Sequence, residues 1–77
     1  MPTLDQLNPG QHGTVTAVNG TGSAIYQRLM EMGVFEGAEI EVVRRAPLGD
    51  PLEVRLHGYN LSMRKTEARY IHLEVQA

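Results

Sequence analysis

The stretch from Glu39 to Gly58 constrains this chain most. It reads as two strands joined by a tight loop. Ile40 and Val42 alternate with Glu39 and Glu41, and Leu52, Val54 and Leu56 alternate with Glu53, Arg55 and His57. A period of two is that of a half-buried strand. Between the runs lies Ala46-Pro47-Leu48-Gly49-Asp50-Pro51. Pro47 and Pro51 have no N–H to give a ladder, so they mark where the strands stop. Gly49-Asp50 supplies a tip that tolerates unusual backbone angles. The expected register sets Ala46 against Leu52, Arg45 against Glu53, Val42 against Leu56 and Glu41 against His57, so that opposite charges and apolar pairs meet. Arg44 fits this register poorly, because it falls on the Ile40–Val42 face. It is expected at the rim, its stem on the core and its head in water.

The flanking segments follow in order. Pro2 to Leu7 reads as one helical turn, with Thr3 and Gln6 as a capping box and Leu4 and Leu7 as its apolar pins. Gln11 to Val18 reads as the first strand, Val15 and Ala17 on one face, Thr14 and Thr16 on the other. Asn19-Gly20-Thr21-Gly22 breaks it. Ser23 to Met32 reads as a helix capped by Thr21 or Ser23, with Ile25, Leu29 and Met32 in one stripe. Gly33 stands where a left-handed residue ends a helix. After the hairpin, His57-Gly58-Tyr59-Asn60 is a turn and Leu61 to Arg64 a short strand. Lys65 to Arg69 suits a turn of 3₁₀ helix, and Ile71, Leu73 and Val75 alternate as the last strand. Five short strands, one helix and tight turns predict a mainly β domain: a strongly bent sheet closing into a small barrel, the helix plugging one end.

Length and composition set the limits. Seventy-seven residues make a single domain, 1–77. With no cysteine there is no disulfide staple and no thiolate metal site, which fits a reducing, cytoplasmic setting. A core this thin gains stability from a partner or from a second copy of itself as a homo-oligomer. The net charge of −2 argues against nucleic-acid binding, although six of the seven basic residues lie in the second half. No apolar run approaches the ~20 residues of a membrane-spanning helix, so no direct membrane insertion is expected.

Reactive constellations are lacking. Ser23 and Ser62 have no base and orienter nearby in sequence, and the carboxylates are scattered over outward strand positions. The glycine-rich Asn19–Gly22 loop lacks the lysine and spacing of a nucleotide-binding loop. His12, His57 and His72 show no metal-ligand spacing. Folding could still gather them, with Glu41 or Glu74 as a fourth ligand, so metal binding stays open as an alternative to solvated surface histidines. No cofactor, metal-ligand set or enzymatic activity is expected.

Several segments together resemble the FeoA family. They are Leu29-Met30-Glu31-Met32-Gly33, then Gly37, then Val42 through Pro51, then Gly58-Tyr59-Asn60-Leu61-Ser62-Met63-Arg64-Lys65, with Leu4-Asp5-Gln6-Leu7 and Pro9-Gly10 at the start. The resemblance covers nearly the whole chain. It implies an SH3-like β-barrel, a cytosolic accessory role in ferrous iron uptake, and a FeoB-type transporter with a cytosolic G domain as partner. It also implies an alternative, a Fe²⁺-binding carrier or sensor related to the SH3-like C-terminal domain of iron-dependent repressors. The residues themselves point to a binding module. The expected contact surface is the helix end Met30, Met32 and Gly33 with the hairpin tip Pro47, Leu48, Gly49 and Asp50, because apolar anchors beside rigid Pro and Gly bind at low ordering cost.

Overall fold

The hairpin forms, but around a bulge. In the computed structural model, which describes residues 2–76, strand β2 spans Glu39–Arg45 and β3 spans Leu52–Leu56. They pair antiparallel with Ile40 against Leu56, Glu41 against Arg55, Val42 against Val54, Arg44 against Glu53 and Arg45 against Leu52. The register shifts between Val42 and Arg44, so Val43 is the extra residue. This corrects the expected register in two steps: the loop closes one residue tighter, with Arg45 rather than Ala46 opposite Leu52 and Ala46 donating to Pro51 O, and the bulge shifts the pairs beyond Val43 by one more and reverses the side-chain alternation there. Arg44 therefore points outward, where its Nε donates to Glu53 Oε1 at 2.7 Å. Arg45, expected opposite Glu53, takes the rim position instead.

Five strands form one antiparallel sheet in the order β4-β3-β2-β1-β5, with β1 at His12–Val18, β4 at Tyr59–Met63 and β5 at Ile71–Gln76. The architecture is the expected mainly β, SH3-like one, with one correction. Among the described residues β4 and β5 do not pair, so the sheet is bent but open rather than a closed barrel. Strand β1 is bulged as well: its register against β5 shifts between Val15 and Ala17. Val15 is buried while Ala17 is exposed, not on the same face as expected. Strand β4 begins at Tyr59, two residues before the expected Leu61, because His57 and Gly58 turn the chain with positive φ of 52° and 84°. Two successive left-handed residues make the two-residue hairpin turn whose twist suits the flanking strands.

The helix α1 is Ala24–Glu31. The Ser23 side chain accepts from the Tyr26 N–H at 3.1 Å, as a cap should. Segment 65–69 is one α-turn, α2 at Lys65–Ala68, rather than 3₁₀. At its N-terminus the buried Glu67 accepts from the Arg64 N–H at 2.9 Å and meets the Arg28 guanidinium at 3.0 Å, which ties α2 to α1. A 3₁₀ turn at Leu4–Gln6 carries the expected box, Gln6 Oε1 accepting from the Thr3 N–H at 3.0 Å. Leu4 and Leu7 from this turn join Val15, Leu29, Ile40, Val42, Leu52, Val54, Leu56, Ile71 and Leu73 in one core.

Arg45 locks the N-terminal turn to the sheet. Its Nη2 donates to the carbonyls of Asp5 at 2.5 Å and Leu7 at 2.6 Å. Charged hydrogen bonds contribute more than neutral ones, ~1.5–3 kcal/mol where shielded. Partial exposure lowers that, so Arg45→Met should cost about 1–3 kcal/mol and lower the melting temperature by roughly 4–8 °C per kcal/mol. Thermal unfolding followed by circular dichroism measures it. An unchanged midpoint would show that the two carbonyls lose nothing by turning to water.

Candidate functional site

The hairpin tip is a rigid loop with one apolar projection. Gly49, at φ 89°, closes the turn by donating its N–H to Ala46 O at 2.7 Å, and Ala46 donates to Pro51 O at 3.1 Å. Asp50 Oδ1 accepts the Lys65 N–H at 3.0 Å, which braces the tip against the start of α2. The Asp50–Pro51 peptide bond is cis. Pro47 is exposed, and Leu48 is 96% exposed. Large apolar side chains this bare on a stiff loop are candidates for contact, since little order remains to be lost on binding.

The helix end is built differently. Met32 donates its N–H to Arg28 O at 3.0 Å, Gly33 to Met30 O at 3.0 Å, and Val34 to Leu29 O at 2.9 Å. Gly33 sits at φ 90°, the left-handed stop the sequence predicts. Met30 is half-buried, and Met32 is partly buried against the core. The Gly33 carbonyl accepts from His57 Nε2 at 2.9 Å, and Met32 O accepts from the Tyr59 hydroxyl at 3.3 Å. Both donors come from the β3–β4 turn, so this turn and the helix end are one surface.

The seven expected contact residues therefore fall into two groups. Strand β3 runs from the hairpin tip to the β3–β4 turn, and its five residues span about 13 Å at ~3.3 Å per step. Met30, Met32 and Gly33 lie at one end of that strand, Pro47 to Asp50 at the other. At the helix end, aromatic residues that the pattern does not single out dominate the exposed surface. Phe35 is 47% exposed with its ring 5.5 Å from the His57 ring, and Tyr59 is 48% exposed. Two signals mark them in the sequence: the chain's one phenylalanine two residues past the helix stop, and the His57-Gly58 pair between two strands. A cleft of about 640 Å³ opens beside Phe35 and His57, with His12, Glu39, Glu41 and Arg55 on its other walls.

The remaining candidates are taken up structurally. His72 Nε2 lies 2.6 Å from Asn19 Nδ2, His57 holds Gly33, and His12 lines the cleft. Among the described residues no group of three or more His, Asp or Glu is arranged to hold a metal ion. The Asn19–Gly22 loop lies against Tyr70. A Cβ at Gly20 would stand 2.6 Å from the Tyr70 ring, so the absence of a side chain here makes room for that ring. Outward residues on β2, β3 and β4 form a charged relay: Arg44 to Glu53 at 2.7 Å, Asn60 to Glu53 at 3.0 Å, Asn60 to Arg55 at 3.3 Å, and Arg55 to Glu41 at 3.9 Å.

Comparison with known proteins agrees with this architecture. The model of the FeoA domain family matches residues 3–75. A Porphyromonas gingivalis protein, "Fe(2+) transport protein A/Fe(2+) transporter FeoB fusion protein", is 38% identical over 72 residues, which are 94% of this chain and 8% of that protein. The chain thus spans a small fraction of that relative's length. The solution structure of a FeoA protein from Chlorobium tepidum superposes with a TM-score of 0.87 at 41% identity, covering 99% of this chain and 71% of that one. The crystal structure of Stenotrophomonas maltophilia FeoA, described as an SH3 domain protein and complexed with zinc, gives a TM-score of 0.84 at 28% identity over 96% and 91% of the two chains.

Proposed function

We propose, because this chain belongs to the FeoA family, that it is a small accessory module of ferrous iron uptake that docks on a FeoB-type transporter and regulates it. The observation that carries this reading is the Porphyromonas gingivalis fusion, in which a homologous segment and a FeoB transporter are one polypeptide. Fusion keeps two partners at high effective concentration, the arrangement expected where their contact matters. The docking partner is the transporter's cytosolic G domain, and the working compartment is the cytoplasm.

Two surfaces are the contact regions: the braced tip Pro47-Leu48-Gly49-Asp50, and the helix end Met30, Met32 and Gly33 with its aromatic neighbours Phe35 and Tyr59. Leu48 is the anchor of the first, since its apolar side chain is almost fully exposed. No step of the reading needs a reactive group. The alternative, an Fe²⁺ carrier, needs three or more ligands that converge; His12 and His57 share the cleft, His72 lies against Asn19, and among the described residues no group of three or more His, Asp or Glu is so arranged.

A pull-down of the transporter's cytosolic part by the immobilised chain tests the proposal. The chain should retain that part with or without guanine nucleotide, and Leu48→Asp should release it. Equal retention by both chains would remove the tip from the interface. No retention at any nucleotide state would remove the docking itself.

A further inference from the structure

Ion pairing sorts the charges of this chain by end. Arg28 is taken by Glu67, Arg44 by Glu53, Arg55 by Glu41 and Arg69 by Asp5. The cations left without a carboxylate partner among the described residues are Arg45, Arg64 and Lys65. Arg45 turns its head to the Asp5 and Leu7 carbonyls. Arg64 and Lys65 stand together beside the hairpin tip. Met63 pairs with Leu52, so the next residue, Arg64, runs alongside Pro51. The Lys65 N–H is held by Asp50, and a Cβ placed on Gly49 would meet Lys65 Nζ at 3.9 Å.

The carboxylates left over gather at the opposite end. Glu31 closes α1, Glu36 follows Phe35, and Glu39 stands on the cleft wall; all three are exposed. The tip itself carries one acid, Asp50, which offsets one of its two cations and leaves that end positive. Strand β3 alone, about 13 Å long, separates the two ends. That exceeds the Debye length of ~8–10 Å at physiological ionic strength. A partner at the tip therefore feels the local cations, and neither the distant glutamates nor the net charge of −2.

Given docking as proposed above, we infer that the tip fits an apolar pocket rimmed by carboxylates on the transporter's cytosolic part: Leu48 enters the pocket, and Arg64 and Lys65 face the acidic rim. The polarity also sets orientation. An acidic surface attracts the tip and repels the end that carries Glu31, Glu36 and Glu39, so the chain approaches tip first. Neither cation is needed to shape the tip. The Asp50 brace uses the Lys65 backbone N–H, and the Gly49 and Ala46 bonds are backbone to backbone. Both side charges are thus left for a partner. An anionic lipid surface shares part of this chemistry, but one apolar side chain and two cations with an acid among them make a weak membrane anchor.

Calorimetric titration of the chain into the transporter's cytosolic part, at about 100 mM and about 500 mM salt, is the test. Arg64→Gln and Lys65→Gln keep the side-chain stems and the backbone bonds. Each should lower affinity about two- to fivefold, and the two together about tenfold. Salt should weaken the parent chain and leave the double variant nearly unchanged. Gln27→Glu, on exposed α1, shifts the net charge by the same one unit and should change affinity by less than about twofold. Affinity that falls with Leu48→Asp but ignores salt and both charge removals overturns the acidic rim and leaves the docking reading standing. Equal loss from Gln27→Glu overturns it too, since net charge rather than the tip would then govern. So does co-sedimentation with phosphatidylserine vesicles that Arg64→Gln and Lys65→Gln abolish while transporter affinity holds. A parent chain that fails to bind the cytosolic part removes both readings.

Discussion

Gly13→Ala should remove a large share of this chain's stability. Gly13 lies in β1 opposite Val75 and is buried. A Cβ there would stand 2.5 Å from the Glu74 carbonyl oxygen and 3.1 Å from the Val75 Cα. Both are backbone atoms of β5, so relief requires the two strands to separate. Those strands carry Val15, Ile71 and Leu73 into the core, and separation would loosen all three. Overpacking of this kind costs ~1–3 kcal/mol and more where backbone must move. A domain of this size has a total stability of roughly 0.05–0.15 kcal/mol per residue, so the loss is a large share of the whole. Urea unfolding should show a midpoint well below that of the parent. Gly10→Ala is the comparison, because at φ 91° it meets no atom within 4 Å. Its cost is the left-handed backbone alone, ~1–2 kcal/mol. If Gly13→Ala cost no more than Gly10→Ala, the close strand approach would not be a constraint.

Leu48→Asp should do the opposite, abolishing docking while leaving stability untouched. The side chain is 96% exposed and adds nothing to the core. Surface changes of this kind stay within ~0.5 kcal/mol. The loop hydrogen bonds from Gly49, Ala46 and Asp50 do not involve the Leu48 side chain, so the tip keeps its shape. An anchor residue in an interface contributes ~2 kcal/mol or more, and a buried unpaired carboxylate adds a further cost. Affinity for the transporter's cytosolic part should fall by about thirtyfold or more, since each 1.4 kcal/mol is tenfold. Calorimetric titration reads the affinity and thermal unfolding reads the fold. Met32 cannot separate these effects as cleanly, because it packs partly on the core.

The elements were mostly legible in the sequence, and their exact pairing was not. Alternation, the Ser23 cap, the Gly33 stop and the Thr3–Gln6 box each act over a few residues, so they can be read locally. The bulges at Val43 and Thr16 cannot. Each exists only in the pairing with a distant strand: β3 has no residue opposite Val43, and the register of β1 against β5 shifts between Val15 and Ala17. Arg44 was the visible trace of the first, a charged residue out of phase with its strand. The open edge depended equally on long-range placement. Of the candidate site, the tip was legible because Pro47, Gly49 and Pro51 announce a stiff loop. The aromatic end was not, because Phe35 and Tyr59 lie far apart in the chain, and only the fold sets the β3–β4 turn against the end of α1.

The account rests on a shaped surface acting in place of reactive groups. Its most direct test is a titration of the isotope-labelled chain with the cytosolic G domain of a FeoB-type transporter, following every backbone amide. The predicted result is saturable shifts concentrated at 47–50 or at 30–35 and 57–59, absent in the Leu48→Asp chain if the tip is engaged. Spectra unchanged at saturating G domain, in every nucleotide state, would contradict it.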